Sequence, residues 1–171
     1  MNESWLTTLN TGADDDALTK TLSACCSSPH WVDQILGQRP FADAGALLAA
    51  SDAAIAGLDT SALADALAGH PRIGEQAAGT GGEWSRQEQS GVNTAAAALL
   101  EEIATANTEY ERRFGHVYLV CATGKSADEL LAICRSRLDN DPAVEDRVVR
   151  AELAKITRIR LGRLLDSYDA A

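Results

Sequence analysis

The chain has 171 residues, 46% of them apolar and only 5% aromatic, with a formal net charge of -10. This length fits one compact domain able to bury a core, and the apolar share excludes a disordered chain. The acidic balance of 25 Asp+Glu against 15 Lys+Arg opposes non-specific nucleic-acid binding, and an anionic ligand would need positive charge gathered locally in a pocket.

Abundant alanine and leucine favour helices over sheets, so the expected class is all-α, a single multi-helix domain over residues 1–171. Trp5, Leu6 and Leu9 predict a short first helix. Acids at Asp14, Asp15 and Asp16 open a second, running to Cys25. Pro29 after Ser28 starts a third that ends near Gly37. Two alanine-rich helices follow over 41–55 and 59–68, stopped by Gly57 and Gly69. Residues 69–84 contain two helix-poor runs, HPRIG at 70–74 and AGTGG at 78–82, and are expected to form an ordered loop. One long helix is then predicted from about residue 86 to 110, with Val92, Ala96, Leu99, Ile103, Ala106 and Tyr110 on one face. Residues 114–122 (FGHVYLVCA) are locally ambiguous between a short strand, an extended buried segment and a short helix. Ser126 with Glu129 forms a capping box opening a helix to about Leu138, and Pro142 starts a final helix to about Ser167.

The cysteines are Cys25, Cys26, Cys121 and Cys134. With no C-x-x-C among them and three scattered histidines, neither a zinc site nor a disulfide framework is expected, and a reducing cytoplasm is the default location. The N-terminal residues lack a basic and apolar leader, and no window reaches the ~18 apolar residues of a membrane span. Residues 122–126 (ATGKS) miss the first glycine of a P-loop, because Leu119 stands there.

Three charged or titratable residues stand out. Glu88, in the run Ser85-Arg86-Gln87-Glu88-Gln89, fits a capping box with Ser85. It also lies four residues before Val92, on the expected inward face, where a carboxylate needs a partner or a polar cavity. Arg160 falls within the apolar stripe of Val149, Leu153, Ile156 and Leu164, whereas Arg158 and Arg163 lie off it. A buried guanidinium requires an anion, either an internal carboxylate such as Glu88 or a ligand's oxyanion. Pro71 pushes His70 toward an extended conformation, either on the surface or aimed inward as a general acid or base.

In combination, His70-Pro71-Arg72-Ile73-Gly74, Ser85 to Gln89, the run 114–122, Gly124-Lys125-Ser126, Lys155-Ile156 and Arg160-Leu161 resemble the 2-oxo-4-hydroxy-4-carboxy-5-ureidoimidazoline (OHCU) decarboxylases, in order and over nearly the whole chain. The resemblance implies an all-helical homodimer that needs no metal or organic cofactor and acts on a small anionic ureidoimidazoline. It implies His70 as proton donor, Glu88 as its acidic partner and Arg160 as a functional arginine. It further implies substrate binding by Pro71, by Ser85, Arg86, Gln87, Glu88 and Gln89, and by the backbone around Tyr118, Leu119, Val120, Cys121 and Ala122. Tyr118, Thr123 and His116 depart from the family's usual residues, which bears on the fine shape of the pocket. Two other readings stand beside this one: a metal-dependent ureide amidohydrolase and a non-catalytic helical interaction module.

Overall fold

The computed structural model describes residues 4–75 and 79–169, with side chains except at 79–81, 168 and 169. Among these residues the regular structure is helical, in nine helices and no strand, as composition predicts. They are α1 (Trp5–Thr11), α2 (Asp15–Cys25), α3 (Pro29–Gly37), α4 (Ala44–Ala56), α5 (Thr60–Ala68), α6 (Gly79–Glu88), α7 (Ala97–Phe114), α8 (Ala127–Arg137) and α9 (Pro142–Asp169).

Many helix starts follow directly from side-chain chemistry. Asp14, Ser28, Asp43 and Ser126 each place an oxygen on a backbone N–H of the first turn, satisfying a donor that the helix itself cannot. At α8 the capping box is complete, with Glu129 reaching back to the Ser126 N–H at 2.7 Å. The alanine-rich helix expected from residue 41 starts at Ala44 instead. Phe41 is held outside it by a two-way hydrogen bond with the Asn10 side chain, at 2.8 and 2.9 Å.

Two expectations are corrected between residues 69 and 114. The glycine-rich run is helical from Gly79, so the ordered loop is shorter than predicted, and residues 76–78 of it lie outside the described residues. The single long helix over 86–110 is two helices. Helix α6 ends at Glu88, a series of turns covers 89–94, and α7 begins only at Ala97 and runs on to Phe114. Ser90, Gly91, Asn93 and Thr94 are weak helix formers, and the turn bonds Val92 N–H to Gln89 O (2.9 Å) and Ala95 N–H to Val92 O (3.0 Å) replace the helical ladder. Gly91 is required there. A Cβ on it would lie 2.2 Å from the Lys125 carbonyl oxygen, a backbone atom that cannot swing away.

The chain divides into two compact units. One comprises the chain up to Ala66 together with Ala154 onward. There α3 packs on both α2 and α4, and the buried Trp31 indole N–H donates to the Ser51 hydroxyl at 3.2 Å. The other unit is Leu67–Leu153, built around α7 against α8. Its core takes Ile103, Ala106 and Tyr110 from α7 and Leu130, Leu131 and Cys134 from α8. It also takes Tyr118, Val120 and Ala122. That alternation is the period of an extended chain, so the ambiguous segment resolves as a buried, non-helical one with no strand partner. All four cysteines are buried free thiols, Cys25 and Cys26 in the first unit and Cys121 and Cys134 in the second.

Candidate active site

The loop after α5 carries His70, which is half-buried and donates its backbone N–H to Leu67 O at 3.0 Å. The loop is bound along its length. Arg72 forms a two-pronged ion pair with Glu111 of α7, Nε to Oε1 at 2.5 Å and Nη2 to Oε2 at 2.8 Å, and also reaches Glu75. That hydrogen-bonded pairing holds the Glu111 carboxyl below the usual carboxylate range. The buried Asn107 amide donates to Ile73 O at 3.0 Å. Gly74 has φ 93°, a left-handed conformation that a side chain would strain, and it turns its N–H to Gln89 Oε1 at 2.8 Å.

Gln89 thereby joins two segments. Its Oε1 accepts from Gly74, and its Nε2 donates to Arg72 O at 3.4 Å. The His70 loop and the C-terminal end of α6 are parts of one hydrogen-bonded frame. On that helix end Ser85, Glu88 and Gln89 are 5%, 7% and 7% exposed, whereas Arg86 and Gln87 face solvent. The spacing i, i+3, i+4 puts the three buried residues on one face. Glu88 is therefore inward, as expected, but for a different reason: it closes α6 rather than opening the helix that carries Val92. The proposed cap of Ser85 on Glu88 is likewise corrected, because both belong to the last turn of α6 and Ser85 O accepts the Gln89 N–H at 3.0 Å. A hollow of about 170 Å³ beside this frame is lined by Arg86, Gln89, Gly74 and Val92 among others, without His70 or Glu88.

The 118–122 segment is buried throughout. The Tyr118 hydroxyl donates to Leu130 O at 3.0 Å within the core, so this departure from the family's usual residue is satisfied internally. His116 packs edge-on to Tyr110, with ring centroids 5.6 Å apart. Arg137 lies over the rings of Tyr118 and Tyr110 and is ion-paired with Glu145, itself hydrogen-bonded by Tyr110 and Asn140. Burial alone would raise the Glu145 carboxyl, but hydrogen bonds from Arg137, Tyr110 and Asn140 outweigh it and hold the group below its ordinary value. Nothing in the sequence pattern marked this cluster, since Arg137 and Glu145 read as ordinary charges near a helix end and a helix start.

Arg160 belongs to the other unit. It is 2% exposed on α9, beside the buried Thr157 and Leu161, and Nη1 donates to Ala24 O in the last turn of α2 at 3.3 Å. A guanidinium at a helix C-terminus is favourably placed against the carbonyl end of the dipole. Burial pushes the neighbouring Cys26 thiol up to about 11, offset in part by Ser28 and Arg160. Arg158 is exposed, as its place off the stripe predicts, and pairs with Asp52. Among the described residues no group of three or more His, Cys, Asp or Glu is placed to hold a metal ion.

A family model described as OHCU decarboxylase matches residues 11–162. The chain is 28% identical over 145 residues to the uric acid degradation bifunctional protein TTL of Arabidopsis thaliana, covering 82% of this chain and 45% of that protein. It thus spans less than half the length of that bifunctional relative. It is also 28% identical over 127 residues to the 2-oxo-4-hydroxy-4-carboxy-5-ureidoimidazoline decarboxylase of Amia calva, covering 72% of this chain and 73% of the relative. A crystal structure of OHCU decarboxylase in the presence of (S)-allantoin shares the fold, with a TM-score of 0.76 at 22% identity over 90% of this chain and 99% of that one.

Proposed function

The chain belongs to the OHCU decarboxylase family, and from that premise we propose that it decarboxylates 2-oxo-4-hydroxy-4-carboxy-5-ureidoimidazoline to (S)-allantoin in urate breakdown. The observation that carries the proposal is the Gln89 tie, which binds the loop bearing His70 to the helix end bearing the buried Glu88.

The substrate has a carboxylate on a ring carbon next to a C=N bond. When the C–C bond breaks, carbon dioxide leaves and its bonding pair passes into that imine. The electron sink lies within the substrate, so the protein's share is orientation, charge handling and delivery of one proton to one face. His70 supplies the proton, with Glu88 as its acidic partner. Arg160 offers a guanidinium to an anionic or carbonyl oxygen. Ser85, Gln89, Pro71 and the 118–122 backbone bind the ring and ureido amides. The family likeness extends the proposal to a cytoplasmic homodimer working without metal or organic cofactor, the dimer being read by light scattering.

The test is decarboxylation of freshly generated OHCU, followed by chiral detection of allantoin. Because the substrate also decays spontaneously, rate and enantiomeric excess are compared together. His70→Ala should lower the rate about 10² to 10⁴-fold with the fold intact. Retention of more than about a tenth of the wild-type rate would remove His70 from the role of donor.

A further inference from the structure

Among the described residues the 118–122 segment has no strand beside it, yet one edge of its backbone is held by three side-chain hydrogen bonds. Leu119 O accepts from Arg137 Nη1 at 2.7 Å, the Cys121 N–H donates to Glu152 Oε2 at 2.7 Å, and Cys121 O accepts from Lys125 Nζ at 2.9 Å. In an extended chain the N–H and C=O groups of successive residues point to opposite edges. The groups of residues 119 and 121 therefore share one edge, and those of Val120 lie on the other. Val120 is 4% exposed, and among the described residues neither its N–H nor its C=O has a hydrogen-bond partner. A buried backbone donor and acceptor left in that state await a ligand carrying the complementary pair.

We infer that Glu152 of α9, with Arg137 of α8 bonding the same edge, is a positioning residue: it fixes the Leu119–Cys121 backbone so that Val120 presents its N–H and C=O to an amide of the substrate. The inference rests on the proposed function, which puts this backbone at the substrate site, and names the side chains that hold it there. Glu152 touches no reacting atom. Its carboxylate acts through the Cys121 amide by a charge-assisted bond, short enough to set the peptide plane. Arg137 is anchored in turn by its ion pair with Glu145, so the second jaw of the clamp is rigid.

Loss of the clamp weakens ground state and transition state alike, so KM should move and kcat should not. Glu152→Ala should raise KM about tenfold, leave kcat within about threefold and speed hydrogen exchange at the Cys121 amide. Glu152→Gln keeps an acceptor oxygen at the same reach and should restore most of the KM and the exchange protection. Should the alanine chain fail to fold, Glu152→Met keeps the bulk without the acceptor and carries the same expectation. Wild-type KM in the acceptor-less variant, or a glutamine variant as impaired as alanine, overturns the inference. So does loss of fold in both acceptor-less variants with recovery by glutamine, which would make Glu152 a stability residue. A wild-type chain that turned over no OHCU would sink the functional proposal instead, while amide exchange in the variants would still report on the clamp.

Discussion

Glu88 shows how a single side chain can be placed inward without an apolar helix around it. It shares the last turn of α6 with Ser85, and Gln89 follows directly, all three below 10% exposure; a carboxylate so enclosed must be offset by charge or hydrogen bonds. Glu88→Gln preserves shape and removes charge. If the carboxylate is the acidic partner of His70, the variant should lose at least about tenfold in kcat/KM at neutral pH while melting near the wild type. Normal turnover would leave Glu88 a purely structural group. At this scale the sequence was informative where a charge interrupts a period. Arg160 was legible because it sits in a stripe of Val149, Leu153 and Ile156, and the structure buries it. Gln89 was assigned to substrate by resemblance alone, and its tie to Arg72 and Gly74 was not legible. Those partners lie 17 and 15 residues away, and no local pattern encodes where a loop returns.

Among the elements, the break between α6 and α7 matters most to the site. Apolar spacing ran on through Val92 and Ala96 as if one helix continued, yet Val92 is buried from a turn and Ala96 is an exposed N-cap position. Periodicity records which residues are covered, and a turn can cover a residue as well as a helix can. The weak helix formers around Gly91 mark the break in the sequence. Gly91 backs directly onto the Lys125 carbonyl, so it sets the approach of the 89–94 turns to the chain just after Ala122. Gly91→Ala cannot be absorbed by a rotamer change and should destabilise by about 1–3 kcal/mol, measured by urea unfolding. An alanine variant as stable as the wild type would show that the two backbones separate freely. The helix starts at Ser28 and Ser126 were legible because the bonding partner lies within the same turn, whereas the box expected at Ser85 falls at the end of α6.

For the molecule as a whole, the helical class was legible from composition, whereas the division into two compact units was not, since α9 runs unbroken from one into the other. The Leu67–Leu153 unit encloses the Arg137–Glu145 pair, with side chains 7% and 1% exposed. Its pH dependence follows from sign. The Glu145 carboxyl is held below its ordinary value of 4.5, so its stabilisation is complete above that value and is lost as pH falls through the lower, folded one. Glu145→Gln leaves Arg137 buried without its counter-ion and should cost about 3–5 kcal/mol at pH 7. The deficit should shrink in acid, where the wild-type carboxyl is protonated as well. Denaturant titrations at neutral pH and near pH 3 check this, and an equal deficit at both would show that charge is not what the pair contributes.

The four enclosed thiols have a practical consequence. Burial pushes Cys26 and Cys134 up to about 11, so at neutral pH these two are almost wholly the unreactive thiol, and neither Cys25 nor Cys121 is open to solvent. An alkylating reagent can then modify the native chain only when a segment opens, and the pace of labelling becomes a clock for that opening. Because the vicinal pair Cys25–Cys26 and the pair Cys121 and Cys134 belong to different units, peptide mapping of the label would time the two separately, with no engineered probe.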